Sequence, residues 1–257
     1  MSSHNTKKNE ESQSVSGIVP VYKERGETLA SLLVRFREEQ GYDKEVKITY
    51  AGRLDPMAEG LVLFLVGESR FQKDALLGER KTYEVEVLLG VSTDTLDVLG
   101  MIEQETIVTV SEDAIAQAVE QMKSIREIPY PNYSSVPVEG VPLFVHARAG
   151  CSVSVPHKRI TIYEAILETV RTVPLKEIAA ESIKDISRVE GDFRQDAISE
   201  CWKAYTDDTR AVQLVRLTIT ASSGTYMRSL AQWLGAQLGV PALAYSIKRT
   251  NLGKYSV

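Results

Sequence analysis

Cysteine is nearly missing from this 257-residue chain, which has only Cys151 and Cys201. The two are far apart and form no C-x-x-C pattern, which argues against a disulfide framework and against a cysteine-ligated zinc site. Histidine is as scarce, and His4, His146 and His157 lack metal-ligand spacing. No apolar run approaches the roughly 20 residues that cross a bilayer, and the N-terminus has no signal-peptide core, so no membrane partner is expected. Walker, G-x-G-x-x-G and H-E-x-x-H patterns and internal repeats are all missing. So is an excess of positive charge: 30 Lys and Arg stand against 35 Asp and Glu, for a net charge of −5. That balance argues against a protein that coats nucleic acid through bulk charge, but it leaves room for an RNA enzyme with a local basic face. The reducing cytoplasm is the simplest compartment, and a monomer is expected.

The remaining composition is that of an ordinary globular protein, with 43% hydrophobic and 25% charged residues. A chain of this length buries roughly 70–75% of its unfolded surface, enough for a core without staples. Its most informative stretch is ITYAGRLDPMAEGLVLFLVGE, Ile48 to Glu68. The unbroken apolar run Leu61–Val66, bounded by Gly60 and Gly67, reads as a strand buried on both faces. The turn before it, with Gly52, Arg53, Asp55 and Pro56, must lie at the edge of the core, because irregular backbone in the interior leaves polar groups unpaired. One carboxylate, Asp55, is thereby fixed on a stiff loop. Asp before Pro is also a common turn opener, so shaping the turn is the plainer reading of that residue.

Residues 1–16 are polar and read as a disordered tail. GIVPVYK (17–23) reads as a strand, followed by a helix capped by Thr28, with Leu29, Leu32, Leu33 and Phe36 on one face and Gly41 as its stop. In KTYEVEVLL the residues Tyr83, Val85, Val87 and Leu89 alternate with polar ones, which predicts a strand with one buried face, and Tyr83 reads by itself as a core tyrosine with a hydrogen-bonded hydroxyl. Asp94 and Asp97 are read as closing a turn that ends at Gly100. Ser111 caps a further helix carrying Ile115, Ala118, Val119 and Met122, and the prolines at 129, 131, 137 and 142 force an extended path over 128–143. AVQLVRLTITA (211–221) is another strand. Gly224 then turns the chain into a helix carrying Leu230, Trp233, Leu234 and Leu238, closed by Gly239. Arg228 falls in the first turns of that helix, where the dipole prefers anions, so either it has a partner elsewhere or it is an ordinary surface arginine.

G-R-L-D-P followed by E-G and an apolar strand resembles the catalytic loop of pseudouridine synthases. KTYEVEVLLGVSTDTLDVLG (81–100), IPYPNYSSVPVEGVPLFVHARAG (128–150), RITIYE (159–164), SSGTYMRSLAQWLG (222–235) and SIKRTNLGKY (246–255) single out one branch. That branch is the TruB family, the tRNA pseudouridine-55 synthases. The motifs occur in the family's order over most of residues 17–257, and only 171–210, which contains an amphipathic helical pattern at LKEIAAESIKDISRV, stands out as a probable insertion.

The resemblance implies an α+β pseudouridine synthase fold over 17–257, a mixed and largely antiparallel sheet flanked by helices. The implied reaction is isomerisation of a uridine in the T arm of tRNA, uridine 55, to pseudouridine, with no metal or cofactor. Asp55 would be the catalytic nucleophile on a flipped-out base, attacking ribose or base or taking a proton from C2′. Arg228 would pair with it through a two-bond grip. Tyr83 would face the base, Tyr226 and Ile247 would form further walls, and Lys23 would bind substrate. Tyr50 stands where the family has a histidine that fills the space left by flipped nucleotides. Pro137 and Val141 replace basic residues of the family, Glu24 replaces a proline, and the chain stops at Val257 with no match to the RNA-binding PUA domain that many relatives carry. The competing readings are a pseudouridine synthase acting on ribosomal RNA, in which G-R-L-D is also common, and a tRNA-binding or folding module weak in catalysis.

Overall fold

The computed structural model describes residues 16–257, so the tail expected at 1–16 lies, apart from Ser16, outside the described residues. The chain opens with strand β1 (Gly17–Lys23) and helix α1 (Leu29–Gln40). Thr28 and Ser31 cap the helix reciprocally, and Gly41 ends it in the left-handed region at φ 66°. Strands β2 (Ile48–Ala51) and β3 (Ala58–Val66) follow, separated by the loop that carries Asp55. After helix α2 (Lys73–Gly78) come strands β4 (Lys81–Leu89), β5 (Val91–Thr93) and β6 (Ile102–Glu105) and helix α3 (Glu112–Gln121), capped by Ser111.

The proline-rich segment holds strands β7 (Glu127–Pro129), β8 (Pro137–Val138) and β9 (Val141–Pro142), with helix α4 (Leu143–Arg148) after them. It is extended as predicted except that β8 and β9 fold back on each other. Glu139 and Gly140, at φ 53° and 80°, make the turn, which needs positive φ at both positions. The chain then forms strands β10 (His157–Arg159) and β11 (Ile162–Pro174), helices α5 (Leu175–Ile186) and α6 (Gln195–Lys203), and strand β12 (Ala211–Ala221). Helix α7 (Met227–Leu238) and strands β13 (Ala242–Leu252) and β14 (Tyr255–Ser256) complete it.

The main sheet has the order β1-β3-β13-β4-β12-β11, with β2 added to β3 and β14 to β13. All its pairings are antiparallel except β13 with β3. Strand β3 is buried on both faces, as its apolar run predicts. Val62, Phe64 and Val66 join the main core, whereas Leu61, Leu63 and Leu65 pack with Ala51 and Leu252. Helices α1, α3 and α7 cover one face of the sheet through Leu32 and Phe36, Ile115 and Val119, and Leu230 and Leu234. The other face is covered by α5 and α6, which bury Leu175, Ile178, Ile186, Ile198 and Trp202 against Leu88, Leu214 and Leu243. Each such buried side chain contributes about 1.5–3 kcal/mol. Of the segment 171–210, residues 171–174 belong to β11, and 175–210 form an excursion between β11 and β12. Among the described residues no helix is long and apolar enough to cross a membrane.

Candidate active site

The Asp55 loop is held mainly through its backbone. Asp55 and Pro56 open a tight turn in which Ala58 N–H donates to the Asp55 carbonyl at 3.0 Å, so the turn-shaping reading holds alongside any chemical role. On one edge, β3 gives Ala58–Gly60 to β13 and Leu63–Val66 to β2, and the change of partner leaves the Leu61 carbonyl without a strand to pair with. Arg249, on β13 and fully buried, takes that carbonyl with Nε at 2.7 Å. It also donates to the Gly52 and Arg53 carbonyls at 3.1 and 3.3 Å. The approach is tight. Gly60, at φ 104°, lies so close to the Arg249 backbone that a Cβ there would sit 2.3 Å from its carbonyl oxygen.

Lys23 was expected to bind substrate, but its position is different: it is fully buried beneath the loop. Its Nζ donates to the carbonyls of Glu24, Pro56 and Ala58 at 3.0, 3.1 and 2.6 Å. Burial pushes the ammonium down to about 8, opposed by the nearby Glu27 and Asp55. The residue supports the loop, and an ammonium is needed because three carbonyls converge on one point.

Arg228 has a partner elsewhere, and it is Asp55, as the resemblance implies. Nε donates to Asp55 Oδ2 at 2.8 Å, and the guanidinium is almost wholly buried. The two-bond grip expected on Asp55 is not present. The fork is divided: Nη1 donates to the Thr95 carbonyl at 2.8 Å and Nη2 to the Tyr133 carbonyl at 3.2 Å. One guanidinium therefore ties together the Asp55 loop, the β5–β6 turn and the proline-rich segment. Asp97 closes its turn by accepting from Thr95 Oγ1 at 2.8 Å and Leu99 N–H at 3.0 Å, and it also lies 3.7 Å from Arg228 Nε. Burial pushes the Asp97 carboxyl up, Arg228 opposes this, and the Asp55 charge adds to it. For Arg228, burial works against the charged form, but Asp55 and Asp97 outweigh it and raise the group. Asp55 keeps its side chain 37% exposed, and among the described residues its Oδ1 makes no hydrogen bond.

Around this pair lies a cleft of about 830 Å³ that brings together Tyr50, Asp55, Tyr83, Tyr226, Arg228 and Ile247. Tyr83 enters it from β4, and among the described residues its hydroxyl has no hydrogen-bond partner, unlike a tyrosine satisfied in the core. Tyr226 meets Tyr130 edge-on at 5.5 Å, and burial together with the Asp55 charge raises its phenol. Tyr50 is half-buried, with its ring edge-on to Phe64 at 6.5 Å. Arg53, named with Asp55 in the sequence, also lines the cleft, as do Lys81, Tyr133, Phe193, Arg194 and Arg249, which were not singled out there. Arg249 had a signal in a charged residue two places after Ile247 on a buried strand. The others depend on contacts distant in sequence. Tyr83→Phe is expected to keep the stacking face and stay within about tenfold of wild-type turnover if the hydroxyl moves no proton. Tyr83→Ala removes an aromatic wall of the cleft and is expected to lose about fivefold or more, since an aromatic stacking face is worth roughly 1–3 kcal/mol. Steady-state kinetics of the two variants checks this.

The architecture and this cleft place the molecule in a recognisable class. Chains of similar structure include the one in a Cbf5–Nop10–Gar1 complex, 19% identical, with TM-score 0.55 over 93% of this chain and 50% of that one. Another is in an archaeal box H/ACA Nop10–Cbf5 complex, 17% identical, with TM-score 0.51 over 93% and 49%. The present chain spans about half the length of these proteins, and the likeness shows that it has the pseudouridine synthase fold. The model of the TruB family pseudouridylate synthase N-terminal domain matches residues 40–186. The tRNA pseudouridine synthase B of Staphylococcus saprophyticus is 30% identical over 246 residues, 94% of this chain and 68% of that protein. That of Bacillus velezensis is 29% identical over 247 residues, 95% and 67%. The chain belongs to the TruB family of pseudouridylate synthases.

Proposed function

We propose that residues 17–257 form a catalytic domain that isomerises a uridine in tRNA, uridine 55 of the T arm, to pseudouridine. The observation that carries this is the exposed Asp55 carboxylate, held by a buried Arg228 at the mouth of a cleft walled by Tyr83, Tyr226 and Ile247. A target base stacked in RNA must be extruded to reach such a pocket, and Tyr83 offers the stacking face. With Asp55 as nucleophile, the N1–C1′ bond breaks, the uracil turns against its walls, C5 joins C1′, and the C5 proton leaves as N1 gains one. The names of the relatives support tRNA as the substrate, and the reading is completed by a monomer acting in the cytoplasm on the T-arm stem-loop. Because the C5 hydrogen is lost in the reaction, tRNA carrying tritium at C5 of uridine tests the proposal. One equivalent of tritium per tRNA is expected, and no release contradicts it.

Tyr50 supplies an aromatic plane to the bases around the extruded uridine. Tyr50→His is expected to be nearly silent, and Tyr50→Ala to lower kcat/KM by about tenfold, from the stacking energy of a base on an aromatic ring. If Tyr50→Ala lowers the melting temperature and leaves tRNA modification intact, the residue is only a prop for Phe64.

A further inference from the structure

Strands β11 and β12 pair to their ends, Pro174 opposite Ala211, and residues 175–210 leave that hairpin as α5 and α6. Covering the sheet does not require this excursion to approach the cleft, yet the segment between its helices does so. Arg194 sits there at φ 64°, a conformation that arginine rarely adopts, and its side chain lines the cleft. Its Nη1 and Nη2 donate to Asp94 Oδ2 and Oδ1 at 2.7 and 3.2 Å, and its guanidinium lies 4.6 Å from the centre of the Tyr133 ring.

Asp94 and Tyr133 are not arbitrary partners. The carbonyls that hold Arg228 belong to Thr95, the next residue after Asp94, and to Tyr133 itself. Two arginines thus engage the same two segments, Arg228 from within through the backbone and Arg194 from outside through side chains. The excursion touches the other support of the catalytic loop as well. Asp185 of α5 pairs with Arg25 at 2.8 Å, and the neighbouring Gly26 N–H donates to the Pro56 carbonyl at 2.9 Å.

We propose that Arg194 is a positioning residue for the isomerisation, holding the Thr95 and Tyr133 carbonyls where Arg228 needs them and so fixing Asp55. This inference rests on the reaction assigned above. The guanidinium is already paired with Asp94, so its removal acts on turnover rather than on attraction for the RNA phosphates. The test is steady-state kinetics on unmodified tRNA, with a thermal melt of each variant. Arg194→Gln is expected to lower kcat by at least about tenfold with KM within about threefold, the signature of misplaced chemistry. Arg194→Lys keeps the ion pair without the planar stack and is expected to recover part of the loss. Asp94→Asn is expected to reproduce the loss, and the Arg194→Gln/Asp94→Asn double variant to be no worse than either single one. An unchanged kcat overturns the proposal. So does a rise in KM alone, which makes Arg194 a phosphate contact. If the glutamine variant fails to fold, the lysine variant decides by the same split. A wild-type protein that forms no pseudouridine overturns the reaction itself, before any variant is compared.

Discussion

Asp55→Asn is expected to abolish pseudouridine formation, with turnover falling on the order of 10⁴-fold or more, as when a nucleophile is removed from a preorganised site. The substitution is well suited to the question because the Asp55 turn is closed by its backbone carbonyl, which an asparagine retains. The amide oxygen can still accept from Arg228 Nε, so the loop keeps its anchor, as it also does at Lys23 and Arg249. The nucleophile and its charge are what is lost. Binding of tRNA is expected to stay within a few-fold, since the cleft and its aromatic walls remain. Product yield over long incubations, alongside filter binding, measures both. Residual turnover within tenfold of wild type removes Asp55 from its role.

Arg228→Lys is the second large effect, expected at about a hundredfold or more in kcat. The reason differs from the one the sequence indicated. Arg228 does not grip Asp55 with two bonds. It spreads its donors over Asp55, Thr95 and Tyr133. A single ammonium cannot reach three acceptors lying in different directions, so two segments of the site lose their common tie. Each buried carbonyl left without a donor costs about 1–3 kcal/mol, so a drop in melting temperature is expected with the loss of turnover. Near-normal kcat in the lysine variant contradicts this account of the fork.

Local features carried much of the fold. The Thr28 cap and Gly41 stop of α1, the two-sided burial of β3 and the alternation of β4 all follow from residue patterns within a few positions of one another. Arg228 was legible for the same reason, because it opposes the dipole of its own helix. What could not be read depends on partners far apart in the chain. The buried setting of Lys23 follows from how the loop folds back over β1. The need for Arg249 arises only because β3 changes partner at Leu61, a consequence of sheet topology. Arg194 meets Asp94 across a hundred residues, from a helical excursion in which the sequence shows only an amphipathic pattern.

The central claim is the isomerisation of one uridine in tRNA, and mapping pseudouridine at single-nucleotide resolution in unmodified tRNA incubated with the protein tests it most directly. The account predicts conversion at uridine 55 and at no other position, with none formed by the Asp55→Asn variant. Conversion at another site, equal conversion of ribosomal RNA, or an unchanged tRNA would contradict it.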